Sequence, residues 1–216
     1  MTKLKKITQD ELDIRLDLHK MWLEGDTYGE RLNLSYHDLR HYNFKGANLK
    51  SANIIGSNLQ HANLRYADMT DSHLLFSDLR WANLTWSKLQ GAQLILTRLD
   101  GSNLDCANLR KAQLQKSSLR FAYIRYADLR GANLWCSNLV GADLSRSNLS
   151  KTDLRFVYFD GAYLDCTNFY GSDLNFSSFK LAYVYGADLR KTILTKGLIS
   201  FFNAYSDDET KFNGDD

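Results

Sequence analysis

A chain of 216 residues with 44% hydrophobic and 24% charged residues has the make-up of a folded soluble protein, which argues against wholesale disorder. No composition shift marks an internal boundary, so a single domain is expected. The net charge of +2 is unevenly spread: residues 32–196 hold 20 Lys and Arg against 13 Asp and Glu, residues 1–31 hold 6 against 7, and residues 197–216 hold 1 against 5.

Proline is absent, and no apolar run approaches the length needed to cross a bilayer. The opening MTKLKKITQDELDIRLDLHK is broken by charge throughout and does not read as a signal peptide, so a cytoplasmic protein with no membrane role is expected. Cys106, Cys136 and Cys166 are an odd set and read as free thiols. Their spacing fits no zinc pattern.

Residues 1–31 form an N-terminal segment in which TQDELDIRLDLHKMWLE, 8–24, predicts a helix. Thr8 and Glu11 make a T-x-x-E capping box. Leu12, Leu16, His19 and Leu23 fall on one face with Trp22 beside them, and Gly25 suits the stop. The helix is expected to act as the N-terminal lid of the chain.

From Leu34 to Leu194 an apolar residue returns every fifth position without insertion or deletion, 33 quintets in all. It is mostly Leu, with Phe44, Phe159, Phe169, Phe179, Ile54, Ile124, Met69 and Val184 as variants. Two residues earlier stands a small one, as in Ala47, Ala52, Ser57 and Ala62, and between the two lies most often Asn or Asp. A period of five is neither helical nor that of a strand, and sustained self-similarity signals a stacked repeat. The small residue and Leu, two apart, point to one side of an extended piece while the Asn or Asp points away. The last two residues must turn the chain. Repeated identically, such a unit is a coil whose successive rungs pair as in a sheet. Leu fills the interior, each worth ~1.5–3 kcal/mol gross on burial. Inward hydroxyls such as Ser57, Thr97, Ser117 and Thr152 need a partner, expected to be a backbone carbonyl. Proline would delete a rung donor, which accounts for its absence.

The pattern A-(N/D)-L-x-x closely resembles the pentapeptide repeat proteins. The resemblance covers residues 32–196 and implies an all-β solenoid, a right-handed quadrilateral β-helix with four quintets per coil and about eight coils here, closed by the N-terminal capping α-helix. At ~4.8 Å per rung such a rod is ~40 Å long. Leu32, His37 and Tyr42 are large for small-residue slots, so the opening coil is expected to distort around the lid. Beyond the repeat, residues 197–216 are read as a C-terminal plug and acidic tail. Gly197, Leu198, Ile199, Phe201 and Phe202 would plug the last coil, and NAYSDDETKFNGDD would remain solvated. Family members that protect type II topoisomerases often carry a helical dimerisation module after the last coil, and no counterpart is legible here.

With four quintets per coil, residues 20 apart stack. One face then carries an outward apolar column of Ile55, Leu75, Phe76, Ile95, Leu96, Trp135, Phe156 and Phe176, unusual for a soluble monomer. This is the candidate interaction face, although corner rings that merely stack would serve stability alone. The next face carries His41, His61, Trp81 and Phe121. A third carries Tyr66, Trp86, Cys106, Tyr126 and Cys166, with Tyr123, Tyr163 and Tyr183 nearby; Cys106 and Cys166, ~14 Å apart, cannot form a disulfide. His41 and His61 alone are a poor metal site. The fourth face holds Lys50, Lys88, Arg110, Lys111, Arg130, Lys151, Arg190 and Lys191 against Asp68, Asp71, Asp128 and Asp188, and its interleaved acids favour a solvated face over a nucleic-acid site.

No catalytic constellation, phosphate loop or nucleophile elbow stands out, and the recurring Asp residues follow the period rather than acid–base design. A protein without enzymatic activity, cofactor or metal is expected: a rigid rod that binds a protein partner, or a second copy, through its apolar side. The resemblance implies an alternative, protection or inhibition of DNA gyrase or topoisomerase IV as an antibiotic or toxin resistance or immunity factor that mimics DNA. The rod's basic surplus runs against mimicry of a polyanion.

Overall fold

The structure is a computed structural model that describes residues 4–194 and 204–211. Its backbone closes on itself every 20 residues. Parallel bridges join Asn33, Asn53, His73, Gln93, Gln113, Asn133, Asp153, Asp173 and Ile193 in eight successive steps, and the other three sides repeat the same register. Each bridging residue is the one between the two inward-pointing residues, as the repeat predicts. In a representative rung, Leu64 N–H donates to the Asn83 carbonyl at 2.7 Å and Asn83 N–H to the Ala62 carbonyl at 2.9 Å. One bridging residue per side is too few to make a strand of its own, so four short sides and four corners build each coil.

The corners impose the geometry. The second residue after each core residue, from Tyr36 to Lys191, has φ between 54° and 70°, the left-handed region. Most corners are not glycine, and each such residue bears on the order of 1 kcal/mol of strain. The N–H of the following small residue closes the turn, as Ala62 donates to the Leu59 carbonyl at 3.0 Å.

One amide per quintet, that of the residue just after Leu, has no place in this backbone ladder. The Asn or Asp before Leu accepts it: Asn133 Oδ1 from Trp135 N–H at 3.0 Å, Asn148 from Ser150 at 3.0 Å, Asn168 from Tyr170 at 2.9 Å. This Asx turn explains the residue type that the repeat prefers. Where Ser118, Tyr123, Ser178 or Tyr183 takes that slot, an aspartate one coil earlier replaces it. Asp100 accepts from Arg120 N–H, Asp105 from Arg125, Asp160 from Lys180, and Asp165 from Tyr185.

The interior is a continuous column of buried side chains from Leu34 to Leu189. Near its C-terminal end Phe159, Phe169 and Phe179 interlock, Phe159 stacked on Phe179 at 4.9 Å and Phe169 edge-on to both. The inward hydroxyls find carbonyls as expected: Ser57 donates to Leu34, Thr97 to Leu94, Ser117 to Leu114 and Thr152 to Leu129. Among the described residues, Ser87, Ser137 and Ser147 find no such partner.

Helix α1 spans Gln9–Leu23, with Thr8 Oγ1 accepting Glu11 N–H at 3.2 Å. The reciprocal arm of a capping box is replaced by an ion pair, Glu11 with Arg15 at 2.5 Å. The helix ends in a Schellman turn: Gly25, at φ 83°, donates to Trp22 and Asp26 to Met21. Leu12 and His19 are its buried side chains, with Leu16 packed against the core and Trp22, 38% exposed, stacked on His19 at 5.5 Å. His19 Nδ1 accepts Leu32 N–H at 3.1 Å and so occupies the place of a missing coil above the first one. Lys5 bridges His37, a further rung ahead of α1. The first coil does not distort as expected. Its 20-residue register holds from Asn33, because Leu32 and His37 are buried under these two segments and the Tyr42 hydroxyl reaches out to the Ile7 carbonyl.

The predicted plug, Gly197 with Leu198, Ile199, Phe201 and Phe202, lies outside the described residues. In the acidic stretch after it, Asp207, Asp208 and Glu209 are exposed as expected of a solvated tail, but its backbone is tied to the stack. Tyr205 bridges Tyr183, Lys211 bridges Asp188, and the buried Thr210 hydroxyl donates to the Val184 carbonyl at 2.9 Å, so residues 204–211 extend two sides of the stack. Asp207 is drawn into this rung by Gly186 N–H and Thr210.

Removing the substitute acceptor with Asp105→Ala should lower unfolding free energy by ~1–2 kcal/mol, the cost of stranding the Arg125 amide and losing its ion pair. In a Tyr123→Asn background the loss should shrink, with a coupling of ~1 kcal/mol in the double-mutant cycle. Strict additivity in denaturant melts would show that this amide is satisfied some other way.

Burial lowers the pKa of His19, an effect that outweighs the nearby Lys50 backbone and to which the charge of Arg31 adds. The unfolded chain takes up the proton near pH ~6.5 and the folded one only below that. The lid's stability is therefore complete above this pH and declines as the pH falls through and below it. Corrected amide exchange of α1 and of Leu32 should accelerate several-fold from pH 7 to 5. His19→Gln, which keeps an acceptor but cannot titrate, should flatten the response. His73, also lowered by burial and Arg31, remains in both proteins. An equal acceleration in the variant would transfer the effect from His19 to it.

Candidate interaction faces

The bridge register puts the apolar residues on one corner. Ile55, Leu75, Ile95 and Trp135 follow the core residue directly and are half-buried, whereas Phe76, Leu96, Phe156 and Phe176 occupy the left-handed position and are exposed, Phe76 at 61%. Phe156 and Phe176 stack at 4.6 Å, 9° from parallel. The column is not continuous. Gln115 and Lys116 interrupt it, and the Lys116 ammonium lies 5.1 Å over the Trp135 ring. An upper patch of Ile55, Leu75, Phe76, Ile95 and Leu96 is thus separated from a lower one of Trp135, Phe156 and Phe176.

The upper patch breaks the turn rule. Its side of the rod carries Asn53, His73 and Gln93 at the capping position. Asn53 Oδ1 is engaged by His73 Nδ1 at 2.9 Å, and neither His73 nor Gln93 returns to its own turn. Among the described residues, no acceptor meets the Ile55, Leu75 and Ile95 amides. The same side is free of Asp, Glu, Lys and Arg from Asn33 to Gln115, the only side with so long an uncharged run.

Elsewhere, most charge is neutralised locally. The sequence D-L-R forms a clamp in which Asp accepts both the turn amide and the guanidinium two residues on: Asp38 with Arg40 at 2.7 Å, Asp78 with Arg80 at 2.7 Å, Asp128 with Arg130 at 2.6 Å, Asp153 with Arg155 at 2.8 Å and Asp188 with Arg190 at 3.0 Å. The hydrogen bond from the guanidinium holds the Asp38, Asp153 and Asp188 carboxyls below the usual range. Asp165 moves the other way: burial raises it, with Tyr185 N–H opposing and Asp143 and Asp207 adding.

On the next corner His41, His61 and Trp81 form a ladder with ring centroids 5.0 and 5.2 Å apart. The two imidazoles are 4° from parallel, so their ring nitrogens do not converge on a common ion. Among the described residues no three His, Cys, Asp or Glu side chains gather as a metal site. Trp81 and Phe121 each lie over the glycine of the following coil. A methyl group on Gly141 would sit 2.5 Å from Phe121 Cε1, and one on Gly101 2.8 Å from Trp81 Cδ1. Arg80 and Arg120 cover these rings at 5.1 and 5.5 Å. On the third side Tyr163, Tyr183 and Tyr205 stack at 5.0 and 4.8 Å. Cys106 and Cys136 are half-buried, Cys166 is exposed, and all three are free thiols. Depressions in the surface are shallow; one of about 230 Å³ between α1 and the first coil is lined by Arg15, Glu30, Arg31 and Asn33.

Four five-residue sides per coil, wound without interruption about a filled interior, define a quadrilateral β-solenoid. The chain belongs to the pentapeptide repeat family, whose "Pentapeptide repeats" profile matches in eight copies over residues 43–74, 77–120, 99–135, 137–175 and 158–195. Proteins of this family fold as right-handed quadrilateral β-helices and are generally structural or interaction modules rather than enzymes. Among solved structures, the chain is similar to HetL, a pentapeptide repeat protein involved in heterocyst differentiation regulation in the cyanobacterium Nostoc, at 26% identity over 92% of this chain and 94% of that one, with a TM-score of 0.44. A pentapeptide repeat protein of the Arabidopsis thaliana thylakoid lumen is 28% identical over 50% of this chain and 72% of its own, with a TM-score of 0.44. Full-length QnrB1, a plasmid-mediated fluoroquinolone resistance protein, is 16% identical over 77% and 92%, with a TM-score of 0.33. No curated protein matches the chain. No helix among the described residues is long and apolar enough to cross a membrane.

Proposed function

We propose that this protein is a non-catalytic rod that binds a protein partner through the apolar corner, and that the upper patch is the anchor. The observation that carries this reading is the coincidence, over the same three coils, of exposed apolar side chains, a flank with no charged side chain of its own and only the Arg31 guanidinium set against it, 3.5 Å from His73 Nδ1, and turn amides without an internal acceptor among the described residues. Apolar area supplies affinity, and outward N–H groups reward a partner that offers carbonyl or carboxylate oxygens. The lower patch of Trp135, Phe156 and Phe176 is a secondary contact, partly masked by Lys116. Rings that stack only for stability would be expected to bury their faces in the ladder, as Phe156 and Phe176 partly do. Phe76, by contrast, has Leu96 and not another ring above it in its column.

Leu75→Ser with Phe76→Ser should reduce partner capture from host lysate at least about tenfold, a loss of ~1.4 kcal/mol or more, with melting of the rod little changed. Trp135→Ser should have the smaller effect. Undiminished capture by the double variant would overturn the assignment.

Family membership supports a second reading, protection or inhibition of a type II topoisomerase. The electrostatics weigh against mimicry of duplex DNA, since residues 32–196 carry a basic surplus of 7 (20 minus 13) and five of the aspartates are clamped by their own arginines. In a gyrase supercoiling assay, with and without a quinolone, micromolar protein should neither inhibit nor protect. Protection would reinstate the topoisomerase as partner.

A further inference from the structure

The basic side is divided in a way that its overall charge conceals. In its first three coils Lys50 and Lys88 both reach Asp68, at 3.7 and 3.4 Å, and with Asp71 nearby the charge sums to zero. In the coils from Asn108 to Lys191 the same side carries Arg110, Lys111, Arg130, Lys151, Arg190 and Lys191 against Asp128 and Asp188 alone. The two aspartates are committed to the Arg130 and Arg190 clamps. Arg110, Lys111 and Lys151 are exposed and form no ion pair among the described residues. This half of one corner therefore carries a net +4 (6 minus 2), more than half of the surplus of 7 (20 minus 13) held by residues 32–196.

That corner is also regular. Its left-handed positions read Gly91, Lys111, Gly131, Lys151, Gly171, Lys191, a strict alternation of glycine and lysine. Each lysine stem lies along the glycine of the next coil: a methyl group on Gly131 would sit 3.8 Å from Lys111 Cγ, and one on Gly171 3.7 Å from Lys151 Cγ. The glycines thus leave a bed for the stems and hold the ammonium groups at intervals of two coils, ~9.6 Å, along a straight line of ~19 Å. The one aromatic side chain on this stretch, Tyr170, lies beneath the Lys191 ammonium at 5.3 Å.

We infer that this half-corner is a docking ridge for double-stranded nucleic acid, engaged through the phosphate backbone and without sequence preference. The ridge is straight and rigid, and a duplex is the straight polyanion whose phosphates, one per ~3.4 Å of axis along each strand, meet such a line wherever it is laid down. A flexible acidic peptide would be ordered at an entropic cost, and the depression beside Lys151 and Gly171 is also lined by Asp153 and Asp173, which would repel its carboxylates. The ridge also has no free ring on which single-stranded bases could stack. Contacts confined to phosphates position a duplex but read no bases.

The test is fluorescence anisotropy of a labelled 20-base-pair duplex with the full-length protein over a salt series, using two random sequences. Binding should be measurable at low salt, equal for both sequences, and fall with a log–log slope of about −3, as expected for three to four phosphate contacts at ~0.9 each. Lys111→Ala with Lys151→Ala should weaken binding at least about tenfold and reduce the slope by roughly 2. Lys50→Ala with Lys88→Ala removes the same net charge from the paired half and should change affinity less than about twofold. Equal loss in the two variants would reduce the effect to net charge and overturn the ridge, as would no binding at 20 mM salt. Displacement of the duplex by polyglutamate at matched charge concentration would overturn the nucleic-acid assignment in favour of an acidic protein. Thermal melts of both variants keep loss of fold distinguishable from loss of binding.

Discussion

Everything outside the core of this rod answers to a single stranded donor. A coil with four sharp corners uses its bridging and corner amides in the ladder and leaves one N–H per quintet, immediately after the core residue, with no backbone acceptor. An amide left that way in a half-buried turn costs ~1–3 kcal/mol, and more than 30 repetitions would be prohibitive. The Asn or Asp before Leu removes that cost at most corners. Four aspartates, at 100, 105, 160 and 165, do the same from the preceding coil where that slot holds Ser118, Tyr123, Ser178 or Tyr183. The capping residue is thus a requirement of the turn, and its departures are where a different demand has prevailed.

Charge follows from the same requirement. Asp is an acceptable cap only if its own charge is answered, and the next outward position is two residues on, within reach of an arginine. D-L-R meets both needs within one quintet, and it engages 5 of the 13 carboxylates of residues 32–196. Carboxylates neutralised in this way make a poor imitation of a phosphate backbone. The basic surplus that remains is largest on one corner, which nets +4 (6 minus 2) from Asn108 to Lys191, while Lys45, Arg65, Arg120, Arg146 and Lys180 stand singly on other sides.

The unbroken period of five, with a small residue and Leu two apart, leaves little freedom in the fold, and the bridge register follows it from Asn33 to Ile193. The capping pair Thr8 and Glu11 and the stop at Gly25 were equally legible. The ends were not. Leu32, His37 and Tyr42 look oversized for their slots because the sequence does not reveal that residues 4–7 and His19 would lie over them as a surrogate coil. Likewise, an acidic stretch without periodicity reads as solvated until two of its residues bridge the last coil. On the surface, the columns of Ile55 to Phe176 and of Lys50 to Lys191 could be laid out from spacing alone. Spacing could not divide either column. The interruption at Lys116 and the neutralisation of Lys50 and Lys88 depend on where long side chains settle, and a quintet pattern carries no information about that. The rescue of Arg125 N–H by Asp105 was visible in principle as Asp and Tyr at a separation of 18, but only once it is known which amide needs an acceptor.

The corner position sharpens what the outward residues mean. Its left-handed φ is where glycine fits without strain, and each other residue held there forgoes ~1 kcal/mol or more. A bulky side chain at a corner therefore needs a compensating contact within the rod or a use beyond it. Trp81 and Phe121 have the former, since each ring rests on the glycine above and under an arginine. Lys111 and Lys151 rest on glycine as well, but their charged ends project unpaired into solvent. Phe76 has no glycine to cover, no ring to stack on and the greatest exposure of any aromatic side chain on its side of the rod. Because each coil touches only its neighbours, strain at one corner is not relieved by distant packing. The residues that bear strain without local compensation are thus the ones on which the two proposed contacts rest, and they lie on two corners of the same rod: one apolar towards the N-terminal end, one basic towards the C-terminal end.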